Sequence, residues 1–290
     1  MKILPYIQQI EAQRQSRVLV LAASNLELEL LPSLYDALRD MGRSERLDVI
    51  FYCRGGIVNA ARRIALLLHE FTDHLTLIVP DRCESSGTIV ALSAHEIIAG
   101  QVAVFSPIDP LLQAGVVASE QAPLAISAQD VRLFGEMAKN WFGVSDEEAQ
   151  GGALTTLCEN IFPTTLTSFY RSCLETHEIC LELRTRAAPS VATTANMTVI
   201  DRLLYGHHSH TFALAGWDLE ALGLPIRSDP QTEDLAWEIS RSIRELVGAS
   251  ARKNTTGGWF DAVIATREGA KSRWRAPAGL APQWRLGQIE

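Results

Sequence analysis

Three short runs of β-branched and apolar residues, each followed by a segment of helical spacing, constrain this chain more than any other feature. They are Arg17–Ala23 (R-V-L-V-L-A-A), Leu47–Cys53 (L-D-V-I-F-Y-C) and His74–Pro80 (H-L-T-L-I-V-P). Their apolar residues fall on consecutive rather than alternate positions, so such a strand has no solvent face and must be covered on both sides. Between the runs, Leu30, Leu31, Leu34, Leu38 and Met41 recur at helical spacing, as do Ala60, Ile64, Leu67 and Leu68. Pro32 is tolerated only in a first turn, so the earlier helix starts near it. Ser86–Ala94 begins a further helix, and Ile97–Phe105 offers short strand pieces either side of Gly100. Strands and helices alternating at these lengths predict an α/β fold with a mostly parallel sheet covered by helices.

The chain then changes character. Leu111–Ile126 is small and apolar without a period and predicts a loop. From Ala128 to about Leu204 the pattern is helical, over Val131–Trp141, Thr164–Leu183 and Met197–Leu204. Thr211–Leu214 predicts a short strand, Asp218–Leu222 a helical turn closed by Gly223 and Pro225, and Glu233–Val247 a last helix. W-F-D-A-V-I-A at 259–265 is a small hydrophobic piece before a Pro-containing end. The organisation expected is a domain over 1–228, with a core over 1–110 and a helical second portion over 111–228, then a C-terminal helix and extension over 229–290.

Composition narrows the partners. A net charge of −8 repels phosphate backbones, so nucleic acid is not an expected partner. The basic stretch is Arg267–Arg275, with four cations and one acid, and it reads as a solvated end. Five cysteines, odd in number and without a C-x-x-C pair, suit neither a disulfide framework nor a zinc site. Met1–Arg17 holds no run suited to a signal peptide, and no window approaches the roughly 20 apolar residues of a spanning helix. A soluble, cytoplasmic protein with no membrane segment is expected.

Two turns carry the chemistry. C-R-G-G-I-V at 53–58 sets paired glycines where a strand meets a helix, so backbone N–H groups can face a ligand unobstructed. C-E-S-S-G-T-I-V-A-L at 83–92 sets hydroxyls at a helix start, where partial positive charge favours an oxyanion. Serine is also a preferred N-cap, a role that accounts for one of Ser85, Ser86 and Thr88.

Taken together, the stretch Asp48–Leu111 resembles the serine dehydrogenase proteinase family, distant relatives of Clp protease and signal peptide peptidase A. The resemblance rests on R-G-G at 54–56, E-S-S-G-T at 84–88, I-V-A-L-S-A-H-E-I at 89–97 and S-P-I-D-P at 106–110. Downstream, Y-G-H-H-S-H-T-F-A-L at 205–214 and A-L-G-L-P-I at 221–226 are similar to the family's later segments. The resemblance implies a Clp protease/crotonase-like fold and a serine peptidase, with Ser85 as nucleophile, Asp109 as acid and His210 as base. It puts the oxyanion donors at the N–H groups of Gly56 and Ser86, with Gly55 and Arg54 in the substrate-binding wall. No cofactor and no metal are implied. The partners implied are a polypeptide substrate, further copies of the chain in a homo-oligomer, and a gating or activating protein.

The chain departs from the family pattern at several positions. Arg54 stands where the family has proline, Ser86 replaces the first glycine after the nucleophile, and Thr211 replaces an aspartate. Ser85 and Ser86 are adjacent, and either can be the nucleophile. His95 and Lys139 are the other candidate bases, and His207, His208 and His210 the candidate metal ligands. Arg54 is expected either to pair with a carboxylate, Glu84 being the nearest in the motif, or to face the substrate channel and select an acidic group on the substrate. Two other classes remain open: a catalytically silent Clp-like scaffold or interaction protein, and a crotonase-type acyl-CoA enzyme. The second would need a basic pocket for phosphates, and no basic cluster lies near Gly55.

Overall fold

The continuous apolar runs form the middle of one sheet in the computed structural model, which describes residues 2–109, 111–113, 125–144, 147–247, 257–276 and 283–287. Helix α1 (Leu4–Arg14) leads into β1 (Arg17–Ala23), and a 3-10 turn (Leu28–Leu30) leads into α2 (Leu31–Met41). Strand β2 (Ser44–Cys53), α3 (Val58–Glu70) and β3 (Thr72–Val79) follow. Four short pieces come next: β4 (Arg82–Cys83), α4 (Ser86–Ala91), β5 (Glu96–Ala99) and β6 (Val104–Phe105). Strands β7 (Leu111–Gln113) and β8 (Ala125–Ser127) pair antiparallel within the stretch expected to be a loop, and 114–124 lie outside the described residues. The helical portion is α5 (Ala128–Asn140), α6 (Glu147–Asn160), α7 (Pro163–Ala187) and α8 (Thr193–Tyr205). Then come α9 (Gly216–Ala221), β9 (Ile226–Arg227), α10 (Pro230–Val247), β10 (Trp259–Thr266), β11 (Gly269–Arg275) and β12 (Gln283–Gly287).

The sheet runs β12-β11-β10-β1-β2-β3-β5-β9. From β1 to β9 every pairing is parallel, while β10, β11 and β12 add on antiparallel beside β1. The fold is mixed α/β, with the mostly parallel sheet that the pattern predicts. Successive residues of the central strands enter opposite cores, which is why the runs are apolar throughout. Leu19, Leu21, Val49, Phe51, Leu75 and Leu77 pack on one side with residues of α2, α3, α4, α7 and α8. Val18, Val20, Ile50, Tyr52 and Ile78 pack on the other with Ile7 and Ile10 of α1 and Ile239 and Ile243 of α10.

Three local expectations are corrected. Thr211–Leu214 forms no strand; Leu214 makes a single bridge to Phe105. The W-F-D-A-V-I-A piece is β10, a full neighbour of β1 in register from Val20↔Ala265 to Ala23↔Ala262. The basic stretch 267–275 is not a solvated end. Arg273 is fully buried and paired with Asp261 and Glu27, and Lys271 reaches Asp36 at 3.5 Å.

At the opening ends of the parallel strands, Arg14 gathers three carboxylates. Its side chain, 8% exposed, reaches Asp48 at 2.6 Å, Glu96 at 2.6 Å and Asp229 at 3.0 Å. One guanidinium thus ties α1 to β2, β5 and the cap of α10, where Asp229 accepts the Thr232 N–H at 3.2 Å. Burial pushes the Glu96 carboxyl up, but the hydrogen bonds and charges of Arg14 and Arg227 outweigh it and hold the group below its usual range. Asp229 is held low in the same way, by Thr232 and Arg14 against the cost of burial.

A carboxyl depressed in the folded state contributes stability above its unfolded value of about 4 and loses it as pH falls through the folded value. Wild-type stability should therefore fall below about pH 4 in urea titrations. Arg14→Met should cost about 3–5 kcal/mol at pH 7, because it strands a buried Asp48, and should flatten the acid limb. Equal acid limbs in the two proteins would contradict this account.

Candidate active site

The site grows from a handover along one edge of β2. Residues 44–50 of β2 pair with β3, and Cys53 then pairs with Cys83 of β4 on that same edge. The chain leaves the sheet after Val79 and returns at Arg82. The closing end of β2 and the turn into α4 are thereby brought side by side. Past Cys53 the backbone passes through Gly55 (φ +133°) and Gly56 (φ +141°), values open to glycine and strained for other residues. At Gly56 the space is closed as well, since an added Cβ would lie 2.3 Å from the Leu26 nitrogen and 2.4 Å from its oxygen. Leu26 donates to the Gly55 carbonyl at 2.8 Å and accepts from the Ile57 N–H at 2.9 Å. In this parallel bridge the N–H of Gly56 points away from Leu26, and no acceptor for it is found among the described residues.

Ser85 sits at the other turn with φ +54° and ψ −114°, a conformation costing a non-glycine residue about 1–3 kcal/mol. Its N–H donates to Ser106 Oγ at 2.8 Å, while Thr88 Oγ1 lies 3.0 Å from the Cys83 carbonyl and 2.9 Å from that of Ser106. These contacts hold the strained turn of Ser85. Its side chain makes no capping hydrogen bond, so the competing role of serine at a helix start is not the one this hydroxyl performs. Ser86 is 1% exposed, its hydroxyl buried and without a hydrogen-bond partner among the described residues, and only Ser85 of the two lines the cavity beside the glycines.

That cavity, about 420 Å³, is lined by Arg54, Gly55, Gly56, Ser85, Asp109 and His210, with Asn25, Asn59, Ser172 and Glu175 completing its walls. A methyl added to Gly55 would stand 4.0 Å from Ser85 Oγ, which measures how closely the two turns approach. His210 arrives from far along the chain. Phe105 and Leu214 exchange backbone hydrogen bonds of 2.8 and 2.9 Å, and Ile108 donates to the Leu203 carbonyl at 3.0 Å. The segment holding His210 is thus tethered to the one holding Asp109. His210 Nδ1 is buried with no hydrogen-bond partner among the described residues, and Ser85 and His210 share the cavity without bonding each other.

The other candidate bases lie elsewhere. His95 accepts the Leu75 N–H at 3.0 Å and stacks on His74 with ring centroids 5.2 Å apart, at the opening ends of β3 and β5 and away from Ser85. Lys139 lines a separate cavity between α5 and α6. Among the described residues, no group of three or more His, Cys, Asp or Glu is arranged to hold a metal ion. The pairing expected between Arg54 and Glu84 is not formed. Arg82 holds Glu84 at 3.1 Å, two residues on and just past the end of β4. Arg54 makes no ion pair among the described residues.

Sequence reasoning missed what braces the twin-glycine turn. Glu27, next to Leu26, pairs with Arg273 at 3.1 Å and with Arg275. Arg273 also grips Asp261 with two bonds of 2.8 and 2.9 Å, and the Asp261 carbonyl accepts the Ser24 N–H at 2.8 Å. The last strands therefore hold the 24–27 loop against Gly56. Ser106 was visible within S-P-I-D-P, but nothing local marks its hydroxyl as the acceptor for Ser85.

Residues 2–122 match the family model of ClpP-like SDH-type serine proteinases, and over that stretch the resemblance read from the sequence stands. An uncharacterized protein of Methanocaldococcus jannaschii is 32% identical over 123 residues, covering 38% of this chain and 42% of the relative. The chain thus matches less than half the length of that curated relative. Among solved structures, a ClpP1 mutant from Listeria monocytogenes superposes with a TM-score of 0.39 at 11% identity, covering 78% of this chain and 99% of that one. A mutant of the 1510-N membrane-bound stomatin-specific protease does so at 0.37 and 11%, covering 78% and 81%. Both likenesses are too loose to carry a property across. No described helix is long and apolar enough to cross a membrane.

The close approach at Gly56 separates two causes of glycine dependence. Gly42 also has positive φ, +77°, but a Cβ there would meet nothing within 4 Å. Gly42→Ala should cost about 1–2 kcal/mol from backbone strain alone. Gly56→Ala should cost at least twice as much, because the Leu26 backbone must move. Equal costs by urea unfolding would show that the crossing is not tight.

Proposed function

We propose that the chain is a serine peptidase that cleaves peptide bonds through an acyl-enzyme on Ser85. The observation that carries the reading is the Ser85 hydroxyl: it stands on a strained strand-to-helix turn, caps nothing, and shares one cavity with His210 and Asp109. The Ser85 oxygen attacks the scissile carbonyl carbon while His210 takes its proton. Once substrate closes the site, Asp109 accepts from His210 Nδ1, unpartnered among the described residues of the free protein, and so orients the imidazole as a carboxylate does in such triads. Negative charge growing on the carbonyl oxygen is met by the N–H groups of Gly56 and Ser86, neither of which has another acceptor among the described residues. The carbon–nitrogen bond then breaks, the leaving amine takes the proton from His210, and water hydrolyses the ester. The Ser85–His210 bond closes when substrate excludes water, since such bonds are often long in unliganded enzymes.

Gly55 and Arg54 form the wall against which the peptide lies. The match to ClpP-like proteinases supports a polypeptide substrate, and with it assembly into a homo-oligomer gated by a protein partner. Hydrolysis of a fluorogenic peptide mixture tests the assignment. Ser85→Ala and His210→Ala should each lower kcat/KM by roughly a thousandfold or more, and Ser86→Ala by far less. Near-neutral His210→Ala alongside a dead His95→Ala or Lys139→Ala would overturn it.

A further inference from the structure

Several acids on or near the wall of the Ser85 cavity already have partners. Glu84 is held by Arg82 at 3.1 Å, Asp81 lies 3.7 Å from Arg244, and Glu175 accepts from Asn59 at 2.8 Å. Arg54, by contrast, lines the cavity beside Gly55 and has neither an ion pair nor a hydrogen bond among the described residues. Asp81 and Glu84, the acids that act with Arg54 on the Tyr52 hydroxyl, are already taken by Arg244 and Arg82. A guanidinium keeps its charge at every working pH, and half-burying it unanswered is costly unless a ligand supplies the anion.

The geometry points to Arg54 as a carboxylate receptor: the site takes peptides that carry a carboxylate next to the bond to be cut. This rests on the reading of Ser85 as nucleophile and adds the substrate class to it. The planar fork of arginine matches a carboxylate with two parallel bonds, and Gly55 leaves the space between it and Ser85 free of a side chain. Asp109 and Glu175 on the other walls repel an acid, so the group is directed to the Arg54 end. With a chain charge of −8 there is no long-range attraction for acidic peptides, and the preference must come from this contact. The carboxylate is either an Asp or Glu side chain or the free end of the substrate chain.

The test is binding to the intact Ser85→Ala protein, which separates recognition from chemistry. Positional peptide libraries with Glu or Gln fixed at each place, and with free or amidated ends, are titrated by fluorescence anisotropy. One Glu position, or the free end, should bind about tenfold tighter than its neutral isostere, the size of one charge-assisted bond. In Ser85→Ala/Arg54→Gln that ratio should fall to about one, and Arg54→Lys should keep part of it. Dependence on the side chain or on the chain end identifies which source is read. No acid preference, no binding at all, or a preference that survives Arg54→Gln overturns the inference. Acid-selective binding by a protein that hydrolyses nothing would instead overturn the peptidase reading and leave this one standing.

Discussion

Two backbones cross at Leu26 and Gly56 with no room for a side chain between them, and the site is assembled on that crossing. On one side it fixes the end of β2 and leaves the Gly56 N–H facing away from Leu26, without an acceptor among the described residues. On the other it depends on the 24–27 loop, which is held by Glu27, Asp261, Arg273 and Arg275. Residues more than two hundred positions apart in the chain therefore share one mechanical unit. A fully buried arginine such as Arg273 is expensive to desolvate. Its two-bond grip on Asp261 and its reach to Glu27 offset that cost and give the last strands one register against β1.

A second buried cation does comparable work at the opposite end of the strands. Arg14 joins α1, β2, β5 and the start of α10, so both ends of the sheet are pinned by a guanidinium between carboxylates. The hydrophobic faces supply most of the driving force, but apolar packing is non-directional. The ion pairs choose which distant segments meet. The same reasoning isolates Arg54, a cation without a partner among the described residues.

Elements whose identity is local were legible in the sequence. The runs at 17–23, 47–53 and 74–80 became β1, β2 and β3 with ends shifted by a few residues, because burial on both faces leaves an unmistakable apolar string. Pro32 marked the start of α2, and Gly100 the break between β5 and β6. Helix α1 was missed although Ile3, Ile7 and Ile10 carry its inward stripe, since its polar residues dominate the segment. The place of β10 beside β1 was not legible, because strand pairing across the whole chain leaves no local trace. Within the site, Ser85, Asp109 and His210 were singled out and do line one cavity, while the brace through Glu27 and Arg273 exists only in three dimensions.

The central claim is that the Ser85 hydroxyl, half-buried but open to the cavity unlike its neighbour, is an activated nucleophile. Incubating the purified chain with a fluorophosphonate and mapping the adduct by tandem mass spectrometry tests that claim most directly. The account predicts one phosphonyl group per chain, carried on Ser85, absent from Ser85→Ala and retained in Ser86→Ala. An adduct on Ser86, or a chain that stays unmodified under conditions that label other serine hydrolases, would contradict it.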